Sequence, residues 1–100
     1  MNEKNNTLNG IHNRIQTAAA MVVKEKNTLT CTRMREILLK AMEIQDTELS
    51  VFGLEIREHG YGLYQLYRNG AYVLEDSHTY CQSIATGIID WEGKQLLNEE

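Results

Sequence analysis

Apolar residues recur every three or four positions through the first half of the chain and switch to alternation in the second. Leu8, Ile11, Ile15, Ala18 and Val22 fall on one side of a helix expected over about residues 7–24, and Ala18-Ala19-Ala20 raises its local propensity. Met34, Ile37, Leu38, Ala41 and Ile44 mark the stripe of a second helix, which starts after Thr30 or Thr32 and ends near Ile44. Residues 51–58, 61–68 and 71–75 read as three strands. Tyr80, Ile84, Ile88 and Trp91 then return to helical spacing over about residues 79–91, with Cys81 and Ala85 flanking on the same side.

Turn chemistry gives this pattern a register. Asn69-Gly70 supplies the two positive φ values of a type I′ hairpin, and His59-Gly60 is the two-residue loop expected for the preceding hairpin. These loops place Tyr67 opposite Tyr72, Leu66 opposite Val73, and Ile56 opposite Leu63. Side chains alternate across a strand, so Phe52, Leu54, Ile56, Leu63, Gln65, Tyr67, Tyr72 and Leu74 form the expected core face. Tyr64, Leu66 and Val73 form an apolar stripe on the opposite face, rimmed by Glu55, Arg57, Arg68 and Glu75. Thr79 and Gln82 are spaced as a capping box for the last helix, Ser77 is the alternative cap, and Gly93 is placed to stop it.

The fold class expected is α+β in the order α-α-β-β-β-α: two N-terminal helices, a three-stranded antiparallel meander, and a C-terminal helix packed on the sheet. One hundred residues make one domain, 1–100. Within it, 7–45 is the helical part and 51–93 the sheet-and-helix unit. Residues 1–6 are expected to be disordered; 94–100 is the tail, of which Leu96–Glu100 is expected to fray.

Composition then narrows the setting. No apolar run reaches the length of a membrane span, and the polar Met-Asn-Glu-Lys-Asn-Asn start is not a signal peptide. A cytoplasmic protein is expected, with Cys31 and Cys81 as reduced thiols on apolar helix faces. Charge is uneven. In residues 1–45 seven Lys and Arg face four Asp and Glu, leaving +3; in 46–100 three face ten, leaving −7. An acidic second half disfavours phosphate backbones and favours a basic protein surface.

Candidate chemistry is sparse. Asp76-Ser77-His78 has the residue types of a hydrolase triad, but three successive residues cannot aim at one another, so turn and capping roles are expected. His78-x-x-Cys81 with Cys31 and His59 has ligand types for zinc but no Cys-x-x-Cys pair, so no metal is expected. His12 falls off the apolar stripe, facing solvent. Gly60-Tyr61-Gly62 precedes a strand and not the helix N-terminus that a phosphate loop requires. No cofactor site and no enzyme are expected.

The order helix, three-stranded meander, helix over residues 32–91 resembles the double-stranded-RNA-binding domain. That family's Lys-rich motif opens its last helix, where this chain has Glu75-Asp76-Ser77-His78-Thr79-Tyr80, an acidic stretch that repels phosphates. A strand triplet backed by a helix also resembles the DNA-reading domains of some phage integrases. Here the sheet offers only Arg57 and Arg68 beside Glu55 and Glu75. A second route to DNA is a basic helical region, Lys24, Lys26, Arg33, Arg35 and Lys40, similar to a helix-turn-helix but without its turn glycine.

These features predict a small non-enzymatic protein-binding domain, with Glu55, Tyr64, Leu66, Val73 and Glu75 as the partner-binding face. The partner is another protein or a second copy in a homodimer, with no membrane. Small acidic domains of this style include phage and mobile-element accessory proteins that inhibit nucleic-acid-handling host proteins. The alternatives are a DNA-binding regulator working through residues 24–40, and an adaptor or chaperone.

Overall fold

The computed structural model describes the backbone of residues 3–98 and the side chains of residues 3–95. The α-α-β-β-β-α order is present, with one short helix added before the sheet. The elements are α1 (Glu3–Lys24), α2 (Cys31–Met42), α3 (Asp46–Val51), β1 (Leu54–Gly60), β2 (Leu63–Arg68), β3 (Ala71–Asp76) and α4 (His78–Asn98). The three strands form one antiparallel sheet in the order β1-β2-β3. The chain divides into two compact units. One is Leu8–Glu43; the other joins the start of α1, up to Thr7, to the chain from Ile44 onward.

The helical unit keeps the expected stripes. Leu8 and Ile11 are buried on α1, with Ile15, Ala18 and Val22 half-buried behind them. On α2, Ala41 is buried and Met34, Ile37 and Leu38 are half-buried. Thr30 is the cap that starts α2, its Oγ1 accepting from the Arg33 N–H at 3.1 Å. Arg14 then closes the far end: its Nε donates to the Ala41 carbonyl and its Nη2 to the Glu43 carbonyl, each at 2.9 Å. A cation on the last carbonyls of a helix satisfies orphan acceptors and complements the dipole. Arg14 stands about 15 Å of helix before the turn, and Ala41 about 15 Å after it. The two helices therefore run antiparallel, side by side.

In the second unit, residues Glu3–Asn6, expected to be disordered, are helical, with Glu3 in the first turn where an acid suits the dipole. Met1 and Asn2 lie outside the described residues. Val51 and Phe52, expected as strand, instead finish α3 and cap it. The Gln45 N–H donates to the Glu48 carboxylate at 2.8 Å, which starts this helix. Leu49 and Phe52 are then buried three residues apart, nearly one helical turn, so this apolar spacing belongs to a helix and not to an alternating strand.

The sheet corrects the first hairpin. The turning residues are Tyr61-Gly62, with φ of 54° and 75°, not His59-Gly60. Gly60 pairs Leu63, and one extra residue, His59, bulges from β1 before Glu58 pairs Tyr64. Ile56 consequently faces Leu66 and not Leu63. The second hairpin turns at Asn69-Gly70 as expected, with φ of 51° and 83°, and Tyr67 pairs Tyr72. Val73 is then extra on β3, so Leu66 pairs Leu74 instead of Val73.

Helix α4 packs across all three strands. Ser77 is its cap, its Oγ accepting from the Tyr80 N–H at 3.2 Å, and Thr79 takes no such part. The buried line is Cys81, Ala85 and Ile89, rotated by one position from the expected Tyr80, Ile84, Ile88 and Trp91. Small residues at Cys81 and Ala85 let the helix lie close on the sheet, while Tyr80 and Trp91 stay about half exposed. Gly93 does not stop the helix, which continues to Asn98. Among the described residues, no helix is long and apolar enough to cross a membrane.

Candidate functional site

Residues paired across antiparallel strands share a face. One face therefore holds Leu54, Ile56, Tyr64, Leu66 and Leu74, with Arg68 at one end and Asp76 at the other. This is the face under α4: Leu66 is fully buried, and the Cys81 thiol donates to the Tyr64 carbonyl across a 3.6 Å contact. Burial pushes the Cys81 thiol above its ordinary pKa. The Tyr64 ring meets His78 edge-on at 4.9 Å, inside the same layer.

The opposite face holds Glu55, Arg57, Gln65, Tyr67, Tyr72 and Glu75. Its side chains are held by one another. The Tyr67 hydroxyl donates to Gln65 Oε1 at 2.7 Å, and Gln65 Nε2 donates to Glu75 at 3.0 Å. The Arg57 guanidinium lies 4.2 Å from the Tyr67 ring centroid and donates to Glu55 at 2.8 Å. That bond holds the Glu55 carboxyl below its ordinary pKa and Arg57 above its own. Tyr67 and Tyr72 meet edge-to-face at 6.1 Å, and Tyr72 is 58% exposed. His59 Nε2 stands 3.6 Å from Glu75 at the margin.

The structure thus separates the expected partner-binding set. Glu55 and Glu75 lie on the open face. Tyr64 and Leu66 lie beneath α4, and Val73 sits at the bulge, about two-fifths exposed. The displaced loop is the reason, because an odd change in register exchanges the two faces of a strand. Gln65, Tyr67 and Tyr72 make the reverse move, from the expected core to the surface. A signal was available: the expected core included Gln65 with no polar partner, whereas turning at Tyr61-Gly62 frees it.

Lys24, Lys26, Arg33, Arg35 and Lys40 are all exposed, yet they do not share a face. Arg33 and Arg35 are two residues apart on α2 and point to opposite sides, and Arg33 pairs with Glu36 at 3.3 Å. The antiparallel α1–α2 arrangement also differs from the steep crossing of a helix-turn-helix. Asp76, Ser77 and His78 have separate uses: Asp76 Oδ1 accepts from the Ser77 N–H at 2.7 Å, Ser77 caps α4, and His78 abuts Tyr64. Among the described residues, no three His, Cys, Asp or Glu side chains are grouped to hold a metal ion.

Set beside known proteins, the chain matches no family model, no curated protein and no solved structure.

Proposed function

We propose that this chain is a non-enzymatic protein-binding domain and that the helix-free face of its sheet is the contact surface. The observation that carries the reading is the pair of exposed Tyr72 and half-buried Tyr67, held in place by Arg57, Gln65 and Glu75. Tyrosine and arginine are the residue types that anchor protein interfaces, and an apolar centre rimmed by charge is their usual setting. Side chains already fixed by neighbours lose little freedom when a partner arrives. The roles of inhibitor and adaptor both need such a face.

A photo-crosslinking amino acid at position 72 tests the proposal in cells of the source organism. A discrete crosslinked protein from position 72, absent from the more exposed position 61 at the turn, is expected. Tyr67→Ala should abolish that product while far-ultraviolet circular dichroism stays unchanged. Equal products from both positions, or none from position 72, overturn the reading.

A further inference from the structure

We infer that the outer side of α4 is a docking surface for a second copy of the chain, which seats its α2 there. The inference goes beyond the sheet-face reading, because α4 and Tyr72 lie on opposite sides of the sheet. Away from buried Cys81, Ala85 and Ile89, α4 presents Tyr80, Ile84, Ile88 and Trp91, which share one helix face. Tyr80 and Trp91 are about half exposed, and tryptophan and tyrosine are the residue types that anchor interfaces. On α2, Arg35, Leu38, Leu39 and Met42 form a second stripe beside buried Ala41, with Leu39 and Met42 each more than half exposed. The α2 stripe runs about 10 Å and the α4 stripe about 16 Å, so the longer accommodates the shorter.

Charge selects which stripe meets which. The unit Leu8–Glu43 carries six Lys and Arg against three Glu, leaving +3; the other unit carries four against eleven Asp and Glu, leaving −7. Pairing α2 with α2 would set a +3 unit against its like, and α4 with α4 a −7 unit against its like. Pairing α2 with α4 of another copy brings opposite charges together. The local charges agree. Arg35 is the one charged residue of the α2 stripe, and Asp90 flanks Trp91 on α4. Both are exposed, and among the described residues neither meets an opposite charge. Helical side chains lean toward the helix N-terminus, so antiparallel docking carries the Arg35 guanidinium toward Trp91 and Asp90, with Met42 toward Tyr80. A guanidinium there pairs with the carboxylate and stacks on the indole.

Sedimentation equilibrium of the full chain is the test, and reversible self-association at high micromolar concentration is expected. Leu39→Asp and Trp91→Ala, both at exposed positions, should each weaken it at least about tenfold with circular dichroism unchanged. An equimolar mixture of the two should form a one-to-one complex, because Trp91→Ala keeps the α2 stripe and Leu39→Asp keeps the α4 stripe. Arg35→Glu and Asp90→Arg should each weaken association, and the two combined in one chain should restore it. These charge reversals decide the matter if an apolar change disturbs its helix. A wild-type chain that stays monomeric overturns the inference. Either apolar variant associating as the wild type does marks a contact between like stripes and also overturns it. A mixture that stays monomeric, or a double reversal no stronger than the single ones, does the same.

Discussion

Gln82 pairs with Ile44 as one strand pairs with another, using a side-chain amide in place of a backbone. The Ile44 N–H donates to Gln82 Oε1 at 2.8 Å, and Gln82 Nε2 donates to the Ile44 carbonyl at 3.0 Å. Ile44 is 3% exposed, so water cannot take over these bonds. The residue expected to cap its own helix instead fastens α4 to the segment leading into α3.

Replacing Gln82 by Leu should therefore leave a buried donor and acceptor unpaired. The expected loss is about 1–3 kcal/mol, read as a lower midpoint in urea unfolding. Gln82→Glu keeps the acceptor and loses the donor, and should also be destabilising. Ser83→Ala, one residue on and exposed, should change little.

Glu92 should prove the second fastening point. Lys4 Nζ approaches one of its oxygens at 2.9 Å and Arg68 Nη2 the other at 2.5 Å. The glutamate side chain is 12% exposed, while those of Arg68 and Lys4 are 36% and 40% exposed, so solvent screens part of the attraction. Glu92→Gln should cost about 1–2 kcal/mol. A double-mutant cycle with Arg68→Met should return a coupling of about 1 kcal/mol, and additive losses would show that the pair contributes nothing.

Two glycines should respond to alanine with opposite signs. Gly53 has φ of +70°, and an added Cβ would collide with the Asn69 side chain, so Gly53→Ala should destabilise. Gly87 is exposed in the middle of α4 with open space around it, and Gly87→Ala should stabilise by about 1 kcal/mol. Thermal unfolding of both variants decides the matter.

The two thiols should separate on alkylation. Cys31 is exposed and should react in the native protein, while buried Cys81 should react only after denaturation. The pKa of Cys81 is raised on folding, so the unfolded chain releases this proton first as pH rises. Its contribution to stability is present below the ordinary thiol pKa and declines above it. Cys81→Ala should flatten that alkaline decline, and rapid native labelling of both thiols would contradict the burial.

Element order and the α1 and α2 stripes were legible because helical spacing over many residues has few competing explanations. The Asn69-Gly70 turn was legible because its chemistry is local. The first hairpin was not, since His59-Gly60 and Tyr61-Gly62 offer the same X-Gly signal two residues apart. Apart from the unpartnered Gln65, what chooses between them is the pairing of buried Leu66 with Ile56 beside Leu54, and that choice decides which residues reach solvent. The α4 stripe was legible only to within one position, because Tyr80 and Trp91 carry more apolar surface than Cys81 and Ala85. Arg14 on the end of α2, Gln82 on Ile44 and Glu92 between two cations join positions far apart in the chain, and spacing carries no trace of them.

The bulge at Val73 bears on how this chain behaves at high concentration. A regular outer strand is a template on which further copies can stack into fibrils, and β3, like β1, has a far side that no other strand covers among the described residues. The extra residue breaks the ladder spacing midway and increases the local twist, so no long flat run is offered. Removing Val73 would restore that run beside Tyr72, favouring growth of ordered aggregates. The residue that spoiled the register is thus a guard on the molecule's solubility.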